Sequence, residues 1–330
     1  MEASIGPGVL GGPRGLRGTG MNGMPDMPGM PGMPGMPPGP PPPGFELPQA
    51  DVSHVARKHL DVVYANASPN HLLDIYLPDT GEGPFPIILH LHGGAFEIGG
   101  RRDLHVLSWL RGLDYGYALV SVEYRLSGEA IFPAGLQDAK AAVRWLRARG
   151  SEYGLDADRV AAVGGSSGGN YAAMLCVTAG EALFDDPALG NSEYASDIQA
   201  AVDMFGPTDF LKMDEHLTEN DLEPADHSEA TSPEARYLGA PITEVPDKVR
   251  LASPITYIHK GMSPILIQHG TADSTVPVQQ SIEFARAIEE RVGPGRCELD
   301  IFEGGVHDDL VFDSDENMDR VFGFLDRYLK

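Results

Sequence analysis

Gly164-Gly165-Ser166-Ser167-Gly168-Gly169 sets two serines among glycines, directly after the apolar run at 160–163 and before a helix-like stretch at 171–177. Strand, sharp turn and helix in that order form the setting in which G-x-S-x-G presents a serine hydroxyl as a nucleophile. Such a turn strains the backbone at the serine, so the residues two before and two after it must be small. The hydroxyl then stands at the positive end of the following helix, where charge developing on an acyl oxygen is favoured. The pattern fits twice, as Gly164-x-Ser166-x-Gly168 and as Gly165-x-Ser167-x-Gly169. A turn beginning right after Val163 selects Ser166. Taken alone, a glycine-serine loop without chemistry explains the same six residues.

Two further loops supply what such a serine needs. Asp273 follows the apolar run at 264–268, and His307 lies in Gly304-Gly305-Val306-His307-Asp308-Asp309, after a strand-like run at 298–302. Singly, Asp273 reads as a helix cap and His307 as a solvated loop residue. Together, the chain order Ser166, Asp273, His307 is that of α/β-hydrolases, each residue following its own strand. Loops that all follow parallel strands converge at one edge of the sheet. A third turn, His92-Gly93-Gly94-Ala95-Phe96, follows the apolar run at 86–91. Its backbone N–H groups suit an oxyanion hole completed by the N–H of the residue after the nucleophile, and glycine keeps the approach open.

The elements that would position these residues alternate along the chain. Runs at 60–65 and 72–77 alternate apolar and polar residues around a turn-like Asn66-Ala67-Ser68-Pro69-Asn70, and predict an antiparallel pair at a sheet edge. Continuous apolar runs at 86–91 and 117–122 predict strands buried on both faces. Further strands are expected at 160–163, 200–205, 264–268 and 298–302. Helices are expected at 104–113, from Pro133-Ala134 onward, and at 171–177, 278–291 and 318–329. The fold class is α/β: a mostly parallel central sheet of about eight strands, with helices on both faces. Residues 206–262 interrupt the rhythm with many acids and prolines, and are expected to form a small lid or cap over the strand ends. The catalytic domain is thus predicted over 45–330. Residues 1–44 are rich in glycine, proline and methionine, with too few Gly-x-y triplets for a collagen helix, and are expected to be a disordered extension.

The chain has 330 residues, 42% of them apolar, and a net charge of −24, which argues against nucleic acid or an anionic membrane as partner. It contains no run of 18 apolar residues and no basic-then-apolar secretory layout, so the sequence favours the cytoplasm. Cys176 and Cys297 are expected to be buried free thiols. His90 and His92 alternate along one strand, but no third ligand lies near them in sequence and no His-Glu-x-x-His or paired-cysteine motif is present. With no dinucleotide-binding or Walker motif either, neither a metal nor another cofactor is expected. The sequence leaves the oligomeric state open, a homodimer included.

The chain resembles the hormone-sensitive-lipase-like branch of the α/β-hydrolases, and within it the bacterial feruloyl/acetylxylan-esterase-like group. Beyond the turns already named, Leu73-Asp74-Ile75-Tyr76-Leu77-Pro78, Glu123-Tyr124-Arg125-Leu126, Phe132-Pro133-Ala134, His269-Gly270-Thr271-Ala272-Asp273 and Val276-Pro277 carry the likeness, over roughly residues 53–330. The resemblance implies Ser166 as nucleophile, Asp273 and His307 as its partners, and Gly93, Gly94 and the N–H of Ser167 as oxyanion donors. The chain departs from the usual Gly-Asp-Ser-Ala-Gly-Gly by carrying Gly165 and Ser167, and Ala95 stands where a third glycine is frequent. The expectation is a serine carboxylic-ester hydrolase for short to medium acyl groups, its substrate a small-molecule or carbohydrate ester such as an acetyl or feruloyl ester. An exopeptidase of the same fold and a binding protein on a hydrolase scaffold are the alternatives.

Overall fold

The computed structural model describes residues 47–330. The predicted extension at 1–44 lies outside the described residues. The strands are β1 (Lys58–Val63), β2 (Leu72–Tyr76), β3 (Phe85–Leu91), β4 (Ala118–Val122), β5 (Leu155–Gly165), β6 (Ala200–Met204), β7 (Ile265–Gly270) and β8 (Cys297–Phe302). They form one sheet in the order β1-β2-β4-β3-β5-β6-β7-β8. β2 pairs antiparallel with both β1 and β4, and every other pairing is parallel. This is the mostly parallel sheet that the run pattern predicted, in the α/β-hydrolase fold that the order Ser166, Asp273, His307 and the resemblance implied.

The helices are α1 (Val106–Leu110), α2 (Ala134–Arg149), α3 (Ser167–Val177), α4 (Met213–Glu219), α5 (Pro233–Leu238), α6 (Pro246–Ala252), α7 (Gln279–Val292) and α8 (Asp315–Leu329). Two apolar layers sandwich the sheet. Leu136 and Leu146 of α2, Met174 of α3 and Phe284 of α7 pack with Ile87, Leu89 and Val160. Trp109 of α1 and Phe322 and Leu325 of α8 pack with Ile88, Leu119 and Ala161. Strand neighbours alternate between the two layers, as the two-residue repeat of a strand requires. Central strands covered on both sides are largely apolar, and β3 is buried at every position, its one polar side chain, His90, included.

Three elements depart most from the sequence reading, each for a local reason. α3 begins at Ser167 rather than 171, because its glycines serve close packing: a Cβ on Gly168 would lie 2.1 Å from the carbonyl oxygen of Leu91. β5 begins at Leu155, where a polar stretch held by the Arg159–Asp156 ion pair extends the strand past its apolar core. The helix expected at 104–113 splits into α1 and a 3₁₀ turn at Arg111–Leu113, where Gly112 tucks against Ile88 and Tyr117.

Residues 206–262 carry α4, α5 and α6 and give Phe210, Tyr237, Leu238, Ile242 and Val249 to the larger core layer. Cys176 is buried, as expected, whereas Cys297 is only partly so, because β8 is an edge strand with half-exposed side chains.

Candidate active site

Ser166 directly follows β5 and caps α3 with φ 55° and ψ −123°, a conformation costing a non-glycine residue roughly 1–3 kcal/mol. The surroundings hold it there: its N–H donates to the carbonyl of Met204 at 2.9 Å, and its own carbonyl accepts the N–H of Asn170 at 3.0 Å. A Cβ on Gly164 would lie 2.5 Å from the backbone of Gly168, so the positions flanking the serine admit only glycine. Of the two serines that fit the motif, Ser166 takes the strained position and Ser167 is the first residue of α3.

His307 Nε2 lies 3.1 Å from Ser166 Oγ, and His307 Nδ1 lies 2.7 Å from Asp273 Oδ2. Asp273 is fully buried, and its Oδ1 accepts the backbone N–H groups of Thr275 and Val276 at 2.8 Å each. His269 Nε2 stands 3.2 Å from Oδ2. Burial favours the neutral carboxyl, but the charge of His307 and the hydrogen bonds from both histidines outweigh it and hold Asp273 well below the usual carboxylate range. For His307, burial favours the neutral ring, and the charge and hydrogen bond of Asp273 prevail to raise its pKa above the ordinary imidazole value. A carboxylate on Nδ1 fixes the tautomer that leaves Nε2 able to accept the serine proton.

Gly93 borders this chain of groups, since a Cβ there would lie 3.7 Å from Ser166 Cβ. Gly94 takes φ +115°, and its carbonyl accepts the N–H groups of Glu97 and Ile98 at 3.0 and 3.1 Å. Among the described residues the N–H groups of Gly93 and Gly94 find no acceptor. Tyr124 stacks on His92 at 4.2 Å and donates its hydroxyl to the His92 carbonyl at 2.6 Å, bracing the turn. His90 is bound to Ser121 Oγ at 2.9 Å and sits within the sheet.

Several residues around the site carry no sequence signal. Phe205, at φ 45°, sets its ring edge-on to His307 with centroids 4.9 Å apart. From α5, Tyr237 stacks on Phe96 at 3.8 Å and Arg236 makes a two-pronged ion pair with Glu97, both against the Gly93-Gly94 turn. His105 reaches Asp308, the neighbour of His307, across 203 positions. Only the aromatic and charged composition of 206–262 hints at any of this, and composition does not choose partners.

The sheet order, with a serine at a strained turn after β5, a carboxylate after β7 and an imidazole after β8, defines a protein of the α/β-hydrolase fold. The BD-FAE family model matches residues 73–288, and the chain belongs to that family. The likeness to the hormone-sensitive-lipase-like branch, read above from its motifs, holds. The chain is 32% identical over 234 residues to Esterase LipQ of Mycobacterium tuberculosis, covering 70% of this chain and 52% of that protein. It spans about half the length of the curated relatives it matches. Among solved structures it is similar to a truncated form of a carbohydrate esterase from gut microbiota, at 29% identity and a TM-score of 0.73 over 85% of this chain and 99% of that one. It is also similar to a bifunctional GH43-CE protein of Bacteroides eggerthii, at 30% identity and a TM-score of 0.72 over 82% of this chain and 35% of that one. No helix among the described residues is long and apolar enough to cross a membrane.

Proposed function

We propose that the chain is a carboxylic-ester hydrolase acting by two-step acyl transfer. The observation that carries this is the continuous hydrogen-bonded chain Ser166–His307–Asp273 ending on a strained serine. His307 Nε2 takes the proton from Ser166 Oγ as that oxygen attacks the ester carbonyl, and Asp273 stabilises the imidazolium that forms. The N–H groups of Gly93, Gly94 and Ser167 receive the oxyanion, each donor worth on the order of 3 kcal/mol. His307 then returns the proton to the departing alcohol, and water repeats the sequence to free the acid. The esterase names of the relatives support the reaction class. The carbohydrate esterase among the similar structures supports a carbohydrate ester as substrate, and the resemblance read from the motifs makes its acyl group acetyl or feruloyl, short to medium in length. Residues 206–262 shape the acyl pocket over the strand ends.

The test is hydrolysis of p-nitrophenyl acetate, butyrate and decanoate by wild type, Ser166→Ala and Ser167→Ala. Turnover should fall by on the order of 10⁴ to 10⁶ in Ser166→Ala and far less in Ser167→Ala. The acyl-length profile sizes the pocket. Turnover of aminoacyl anilides in place of esters would instead make the chain an exopeptidase, and loss confined to Ser167→Ala would move the nucleophile by one residue.

A further inference from the structure

Next to His307, through its neighbour Asp308, stands a second acid–imidazole–acid chain that the proposed reaction does not use. His105 Nε2 lies 3.0 Å from Asp308 Oδ2, and His105 Nδ1 lies 3.2 Å from Asp103 Oδ1. Asp308 takes φ +55°, and of these two adjacent residues His307 bonds the serine and Asp308 bonds His105. Asp103 is buried and anchored, its Oδ2 accepting from the N–H of Gly100 at 3.4 Å and its Oδ1 from the N–H of His105 at 3.1 Å.

A neutral imidazole has one N–H and can satisfy only one of two carboxylates. The position of His105 between Asp103 and Asp308 therefore selects the imidazolium. The same loop is tied again nearby, where Arg111 donates to the carbonyl of Asp313 at 2.8 Å and pairs with Asp315. Asp313 and the buried ring of His90 also face His105, and Asp273, Asp308 and His105 act on the charge of His307.

We propose that His105 is a positioning residue for His307: as an imidazolium clamped by Asp103 and Asp308 it fixes the loop that carries His307, and with Asp308 it sets the charge field in which His307 works. The proposal rests on the reading of His307 as the base. The two charges act on His307 with opposite sign, the carboxylate of Asp308 stabilising its protonated form and the cation of His105 opposing it. The clamp is complete below the pKa of His105, which its hydrogen bonds to Asp103 and Asp308 raise well above the ordinary value against the desolvation of the ring. It opens as pH rises through that value.

The experiment is an NMR titration of the His307 ring, assigned by its disappearance in His307→Gln, in wild type, His105→Gln, Asp308→Asn and the double variant. His105→Gln should move the His307 midpoint up and Asp308→Asn should move it down, each by on the order of half a pH unit. The double variant, which removes one charge of each sign, should return near wild type. A merely structural role would lower kcat in both single variants without opposed shifts, and that result overturns the proposal, as do four superimposable titrations. The titration needs no substrate. If wild type fails on every ester while the opposed shifts appear, the esterase reading fails and the charge relationship stands.

Discussion

The ring of Phe205 occupies the space that a side chain at position 165 would need. A Cβ on Gly165 would lie 2.9 Å from Phe205 Cζ, and that ring is buried between His307 and Phe312. The resemblance drawn from the motifs puts Asp most often at this position, and here the Phe205 ring leaves no room for it. Gly165→Ala should force the ring toward His307 and lower kcat on the order of tenfold, with an overpacking cost of roughly 1–3 kcal/mol. Gly165→Ala combined with Phe205→Leu should recover much of both. Ester kinetics and denaturant midpoints of the three variants check the coupling, and equal losses in the single and double variants would refute it.

Activity should require the neutral form of His307, because only that form accepts the Ser166 proton. Asp273 holds the folded-state pKa of His307 above the ordinary imidazole value, so the acid limb of kcat/KM should lie above about 6.5. Asp273→Asn removes the charge that raises it and leaves burial, which lowers it. The limb should therefore move to lower pH while kcat falls by on the order of 10⁴. A pH profile of kcat/KM for both proteins decides this; a limb that stays in place would mean another group controls it.

The parts of the fold and site that were legible in the sequence are those written in local chemistry. Buried parallel strands announce themselves as apolar runs and the antiparallel edge pair as an alternation, and all eight strands overlap stretches read as strands. The Gly-rich turns at 93–94 and 164–169 are legible because close approach leaves no room for another residue. What stayed hidden is set by partners distant in sequence. Tyr237 stacks on Phe96, and His105 reaches Asp308, only after the sheet has brought separate loops together. The helical content of 206–262 was obscured because α4, α5 and α6 are each seven residues or fewer, too short to show a helical repeat.

The contact between α5 and the Gly93-Gly94 turn predicts a coupled loss. Ala95 and Phe96 both hold positive φ, and the Tyr237 stack and the Arg236–Glu97 pair press on that strained turn. Removing either member of the ion pair should loosen the turn and lower kcat by on the order of threefold to tenfold, with KM moving less. Because the residues act as a pair, Arg236→Ala with Glu97→Ala should lose no more than the worse single variant. Additive losses in that double-mutant cycle would show that the two act separately.

Asp203 predicts a stability effect independent of turnover. It lies on β6 beside the elbow, fully buried, with Oδ1 accepting the N–H of Gly206 at 2.9 Å and no partner for Oδ2 among the described residues. Burial pushes its pKa up to about 6, and neither the Gly206 hydrogen bond nor the charge of His269 offsets it. The sign follows from proton binding. A carboxyl whose folded pKa exceeds its unfolded value near 3.8 keeps its proton longer in the folded state. Its contribution is therefore fully present below the unfolded value and is lost as pH rises through about 6. Asp203→Asn keeps an acceptor for Gly206 and cannot ionise, so this loss should disappear. Relative to wild type, the variant should gain up to about 3 kcal/mol between pH 4 and pH 8, whatever fixed cost its unpartnered amide adds at both. Denaturant unfolding across that range measures the difference. Parallel stability curves for the two proteins would mean that Asp203 finds a partner for its charge in solution.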